Sequence, residues 1–254
     1  MKVCIASYSF HGLFHAGMID VFGYLESCKY RYHVQAADIW CDLNERNGGM
    51  LPSLDDDFLK QVKEALEERE LELANLCVDG ADIWEDDPAD RENNYQNALA
   101  HLKAAEFLGA RTVRFNSGGH FETFTNEQFD LVVKRFKEYA HIAYENGFKV
   151  GPENHWGPEV QPETMKRICQ AVDSPAFGVL LHVGKNDGDA VMAPWAMHTH
   201  FSWEAAHENL AETMTMLRDA GYQGYYSVEH HTAKNEYTNS AIQLAKIQKV
   251  LREW

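Results

Sequence analysis

Short apolar runs alternate with longer amphipathic stretches along the whole chain. Residues 3–7, 34–39, 71–78, 112–115, 150–153, 177–182, 197–201 and 225–229 read as eight strands, too short for helices and rich in Val, Ile, Leu, Phe and Tyr. The clearest stretch between them is 126–146, where Phe129, Val132, Val133, Phe136, Ala140 and Ala143 recur at helical spacing and define one buried face. Thr125 with Gln128 three residues on predicts a capping box at its start, and Gly147 predicts its end. The same succession of helix, glycine and strand returns at Leu108-Gly109 and Ala220-Gly221. Eight units of about 32 residues predict a (β/α)₈ barrel, one domain over residues 1–254. A doubly wound open sheet is the alternative, but neither G-x-G-x-x-G nor G-x-x-x-x-G-K-[ST] is present to supply its nucleotide loop.

Composition narrows the partners. The 254 residues are 45% hydrophobic, and 23 Lys plus Arg against 39 Asp plus Glu give a formal charge of −16, a field that repels nucleic acid and anionic membranes. The N-terminal residues turn polar too soon for a signal-peptide core, which predicts a cytoplasmic protein. Cys4, Cys28, Cys41, Cys77 and Cys169 are odd in number, widely spaced and without C-x-x-C, a pattern of reduced thiols rather than a disulfide framework or zinc knuckle. The acidic cluster Glu85-Asp86-Asp87 reads as a solvated loop.

In a barrel the chemistry belongs at the C-terminal ends of the strands. The fifth to eighth runs end in Glu153-Asn154-His155, His182, His198-Thr199-His200 and Glu229-His230-His231. With a strand period of two, Glu153, His182, His200 and Glu229 can all point inward at the barrel mouth. Two inward glutamates in so acidic a chain repel one another unless a proton or a cation sits between them. A divalent metal site follows as the expectation, and its mixed oxygen and nitrogen donors suit Mn²⁺, Co²⁺, Fe²⁺ or Zn²⁺ better than Ca²⁺. His198 and His231 are supporting residues or bystanders. Trp40, Trp84, Trp156 and Trp203, each just past a strand end, suggest an aromatic rim for a sugar or another hydroxyl-bearing ring.

Ser7-Tyr8-Ser9-Phe10, Arg114-Phe115-Asn116, Glu153-Asn154-His155, His198-x-His200 and the block Gly221-Tyr222-x-Gly224-Tyr225-Tyr226-Ser227-Val228-Glu229 together resemble the xylose isomerase-like TIM barrels, specifically their sugar phosphate isomerase/epimerase group. The resemblance runs the length of the chain. It implies a divalent metal, Mn²⁺ first, held by Glu153, His200 and Glu229, with His182 standing where that family carries an aspartate. Its two glutamates are also the proton-transfer pair. His182-Val183-Gly184-Lys185 replaces the family's Asp-x-Gly-[Asn/His] block, and the long loop with Gly-Glu-Gly after the seventh strand is missing. The superfamily's zinc endonucleases need further ligands and a basic groove, neither of which the sequence offers.

The implied function is a metal-dependent isomerase or epimerase of a sugar or sugar-like ketone, working by proton abstraction beside a carbonyl through an enediolate. Glu153 and Glu229 are the expected base and acid, and His155, Arg114, Asn116, Lys185 and Trp156 the expected contacts to substrate. The missing phosphate cradle favours an unphosphorylated carbohydrate as partner, and a homo-oligomer is compatible with the sequence. A lyase or dehydratase using the same site for β-elimination is the nearest alternative, and a non-catalytic ligand-binding barrel the second.

Overall fold

The computed structural model describes residues 1–43, 48–119, 121–184 and 188–254. Among them eight strands run parallel: β1 Val3–Ile5, β2 Ala36–Asp42, β3 Glu72–Asp79, β4 Thr112–Phe115, β5 Lys149–Gly151, β6 Val179–Val183, β7 Ala196–Phe201 and β8 Tyr226–Val228. They form two ladders, β2-β3-β4-β5 and β1-β8-β7-β6. Bridges Ala6↔Asp38 on one side and Val150↔Phe177 with Glu153↔Leu180 on the other join the ladders into a closed barrel. Around it lie α1 His11–His15, α2 Val21–Glu26, α3 Asp56–Glu68, α4 Pro88–Leu108, α5 Asn126–Asn146, α6 Pro162–Val172, α7 Asp189–Met192, α8 Leu210–Asp219 and α9 Glu236–Arg252. This is the α/β TIM barrel that the alternating pattern predicts.

Helix α5 shows how the sequence builds the outer layer. Thr125 Oγ1 accepts from the Gln128 amide while Gln128 Oε1 accepts from the Thr125 amide at 2.7 Å, so two otherwise unpaired donors are satisfied at once. Its buried residues include Val132, Phe136, Ala140 and Ala143, and it stops at Gly147, whose φ of 76° suits a residue without a Cβ. In the acidic cluster Asp87 caps α4 by accepting from the Ala89 amide. All five cysteines are buried free thiols. No helix among the described residues is long and apolar enough to cross a membrane.

Strand β4 keeps the bounds read from the sequence, every other strand shifts at one end or both, β5 stopping at Gly151 before Glu153, and two of the shifts shape the site. Strand β2 continues past Ile39 to Asp42, because Cys41 bridges Gly49 and the Met50 amide donates to the Trp40 carbonyl at 2.9 Å; Trp40 therefore lies inside the strand. Strand β1 stops at Ile5, and Ser7–Phe10 coil into a 3₁₀ turn whose Ser7 Oγ accepts from the Trp40 amide at 2.8 Å.

The barrel interior is unusual for its polarity. At one end Cys4, Ala36, Ala74 and Tyr225 pack together. Above them, partners in register on β2, β3 and β4 carry Asp38, Asn75 and Thr112, and next to these, toward the strand ends, come Trp40, Cys77 and Arg114. Parallel strands place partner residues at one level on the same face, so a polar set on several strands becomes a polar layer.

Candidate metal centre

His182 and His200 are register partners on β6 and β7, and Ser227 is the partner of His200 on β8. Glu229 follows Ser227 by two residues, and Glu153 bridges Leu180, two residues before His182. The four side chains Glu153, His182, His200 and Glu229 are all buried and offer ligand atoms that lie within 4.8 Å of one another. His182 Nδ1 is 3.1 Å from Glu153 Oε1 and 3.3 Å from Glu229 Oε2; His200 Nδ1 is 3.2 Å from Glu229 Oε1 and 3.6 Å from Glu153 Oε1.

One atom tests whether this set suits a cation. Among the described residues the buried His200 Nδ1 finds no hydrogen-bond partner, although two carboxylate oxygens face it. Its other nitrogen, Nε2, lies 3.0 Å from Asp38 Oδ2, so in the neutral ring Nε2 carries the proton and Nδ1 is left as a lone pair aimed at negative oxygens. Either an added proton or a metal cation relieves that clash. Burial opposes charging His200, yet Glu229 and Asp38 push its pKa well above the usual histidine value, which marks a site demanding positive charge. The donors present therefore fit a divalent ion.

The carboxylates are held ionised. Burial alone pushes Glu153 up, but Arg114 and the imidazoles of His155, His182 and His200 bring its pKa well below the usual carboxylate range. Glu229 is lowered in the same way, against its burial, by His200, His231 and His182, with His231 Nε2 2.8 Å from Oε2. Sequence reading assigned Arg114 and Asn116 to substrate, but their polar groups turn to the protein. Arg114 Nη1 donates to Asp79 Oδ1, the Val78 carbonyl at 3.0 Å and Asn116 Oδ1 at 3.1 Å, its Nη2 lies 2.7 Å from Cys77 Sγ, and its Nε lies 3.1 Å from Glu153 Oε2. Asn116 Nδ2 donates to Asp79 as well.

A cavity of about 390 Å³ opens over this cluster, bordered among others by Tyr8, Trp40, His155, Trp156, His200 and Glu229. That size lies within the range of about 300–1,000 Å³ typical of small-molecule sites. Glu229 borders the cavity, whereas Glu153 and His182 are not among its lining residues. His155 stacks on Trp156 at 4.3 Å between ring centroids, and Trp156 is 56% exposed at the rim. Of the four tryptophans proposed for a rim, Trp84 and Trp203 are not among the lining residues: Trp84 packs under Arg91, and Trp203 stacks on His207. Lys185 lies outside the described residues.

Sequence reasoning missed Asp38, Asp79 and Tyr8. The only sequence signal for Asp38 was a charged residue inside the apolar stretch Ala36-Ala37-Asp38-Ile39-Trp40.

A family model for the xylose isomerase-like TIM barrel matches residues 32–186. Among solved structures, the apo form of 3-keto-D-glucoside 4-epimerase YcjR from E. coli superposes with a TM-score of 0.74 at 15% identity, covering 98% of this chain and 99% of that one. The probable 3-DHS dehydratase AsbF from Bacillus anthracis gives 0.70 at 15% identity, covering 99% of each chain. The IOLI protein, solved with a bound zinc atom, gives 0.72 at 14% identity, covering 100% of this chain and 97% of that one. At these identities the likeness speaks for the fold. No curated protein sequence matches the chain.

Proposed function

As the chain belongs to the xylose isomerase-like TIM-barrel family, we propose that it is a divalent-metal-dependent isomerase or epimerase of an unphosphorylated sugar or sugar-like ketone. The observation that carries this reading is the buried group Glu153, His182, His200 and Glu229, with the His200 Nδ1 lone pair turned toward two carboxylates. These four residues would hold the ion, Mn²⁺ first among the candidates. When bound, it supplies the positive charge that stabilises developing negative charge on the substrate's carbonyl and neighbouring hydroxyl oxygens.

The protein's own groups account for the remaining chemistry. Glu229 borders the cavity and is held ionised, the two requirements for taking a proton from the carbon beside the carbonyl. Glu153, held ionised by Arg114, is the second carboxylate of the pair; it is not on the cavity wall, so its part in proton transfer requires the bound substrate to reach past Glu229 to it. In isomerisation Glu229 returns the proton it took to the adjacent carbon while the neighbouring hydroxyl's proton passes to the former carbonyl oxygen. In epimerisation Glu229 keeps that proton, Glu153 takes one up from solvent and delivers it to the opposite face of the same carbon, and the two carboxyls then re-equilibrate with solvent. Trp40, His155 and Trp156 give the substrate flat apolar faces and a polar edge. Among the described residues Arg114 is the one Lys or Arg bordering the cavity, and its Nη1 and Nη2 donate to protein groups, which supports an uncharged substrate over a sugar phosphate.

The test is product analysis by NMR after Mn²⁺-loaded protein meets ketoses, inosose and keto-glycosides. An epimer or isomer is the expected product. A dehydrated or deglycosylated product replaces this reading with β-elimination, and protein that neither retains metal nor converts any member of the panel contradicts both.

A further inference from the structure

Asp38 is 1% exposed, at the centre of the barrel, and four side-chain donors converge on it. Its Oδ2 lies 2.7 Å from Ser227 Oγ, 2.8 Å from His198 Nε2 and 3.0 Å from His200 Nε2, while its Oδ1 accepts from Asn75 Nδ2 at 2.9 Å. These donors come from β3, β7 and β8, so the carboxylate is fixed from three strands besides its own. The backbone is fixed too: the Asp38 amide donates to the Tyr24 hydroxyl at 2.7 Å, and that hydroxyl lies 2.6 Å from the Ile5 carbonyl.

We propose that Asp38 is the positioning residue of the metal centre, holding His200 in the Nε2–H tautomer so that the Nδ1 lone pair faces Glu153 and Glu229. The inference rests on the metal-centre reading above and adds to it a carboxylate that touches neither the cluster's carboxylates nor the proposed ion. An imidazole free to choose its tautomer, or to rotate, presents N–H to the cluster part of the time and cannot coordinate in that state. A carboxylate accepts and never donates while ionised, so it removes that choice and makes the imidazole a stronger donor to a cation. His198 meets the same oxygen and clamps the carboxylate further; its own Nδ1 has no hydrogen-bond partner among the described residues, and His198 borders a second cavity at the opposite end of the barrel.

Only an acceptor at both oxygens satisfies this arrangement. In Asp38→Asn one oxygen becomes an NH₂ group, set against either Asn75 Nδ2 or the three donors on the other side. The substitution conserves shape and removes the property on which the proposal depends.

The experiment titrates metal-free protein with Mn²⁺ alone, in wild type, Asp38→Asn, His200→Gln and the double variant, with folding checked by near-ultraviolet circular dichroism. Asp38→Asn is expected to bind about 10- to 100-fold more weakly, the usual effect of losing a partner behind a ligand. In the His200→Gln background the same substitution is expected to change little, because Asp38 acts through that imidazole; a merely structural role would weaken both backgrounds alike. If Asp38→Asn does not fold, ¹⁵N-histidine NMR of Zn²⁺-loaded wild type decides, with a proton on His200 Nε2 and none on Nδ1 expected. Wild type that binds neither ion overturns the metal-centre reading and this inference with it. Wild type that binds, with Asp38→Asn within about threefold of it or with His200 Nε2 unprotonated, overturns the role of Asp38 alone.

Discussion

Replacing Arg114 with methionine removes the guanidinium that, among the described residues, balances the carboxylates at the cavity. The side chain is 4% exposed, and the residue that loses its cation, Glu153, is 1% exposed. Methionine fills similar volume with no donor, so the buried Val78 carbonyl, Asn116 Oδ1 and Glu153 Oε2 all lose a partner, and Asp79 at the cavity edge loses its cation. Breaking a buried pair from one side costs about 3–5 kcal/mol, chiefly because the other charge stays buried. At about 2–4 °C per kcal/mol for a chain near this size, Tm should fall by about 6–20 °C. Thermal melts followed by circular dichroism, on metal-free protein and with saturating Mn²⁺, provide the measurement. The variant should gain more from Mn²⁺ than wild type does, since the ion then meets a glutamate with no competing guanidinium. A metal-free Arg114→Met protein within about 1 kcal/mol of wild type would refute this reasoning.

Three further outcomes are open to measurement. Glu229→Gln and Glu153→Gln, each folded and metal-loaded, should lose at least about 10²-fold in kcat on the true substrate, the lower range for a positioned acid or base; near-normal turnover in either removes the paired-carboxylate mechanism. His182→Asp should retain metal binding and shift preference toward the harder Mn²⁺ over Zn²⁺, read by competitive titration; loss of all binding would show that the imidazole is indispensable. Glu159→Gln tests a charge away from the cluster: burial raises its carboxyl well above 4.5, although the Ser117 amide bonds it at 3.1 Å. A group with a raised folded pKa contributes stability below its unfolded pKa and loses it as pH rises through the folded value. Urea melts should therefore show wild type losing stability from pH 4.5 upward more steeply than Glu159→Gln, and parallel curves would count against the shift.

Where burial is one-sided and local, the sequence was readable. Helix α5 follows from a single apolar face and a capping box within three residues, and the eight strands from short apolar runs alternating with amphipathic stretches. Glu153, His182, His200 and Glu229 were legible as a group because each stands near the end of its own strand, and a closed barrel brings such ends together. Asp38 was not, since its partners His198 and His200 lie 160 and 162 residues away across the barrel lumen and no spacing rule reaches that far. Arg114 was visible as a strand-end cation, but its partners depend on the registers that set Cys77 beside it and Asp79 nearby. The direction taken by Trp84 and Trp203 depended on Arg91 and His207 packing against them, which a position just past a strand end does not encode.

The most direct test of the metal centre is an equilibrium titration of metal-free protein with Mn²⁺, repeated with Co²⁺ and Zn²⁺, in wild type and in Glu229→Gln. About one ion per chain in wild type, with occupancy reduced in the variant, is the expected result. No binding of any of the three ions, or binding that Glu229→Gln leaves unchanged, would contradict it.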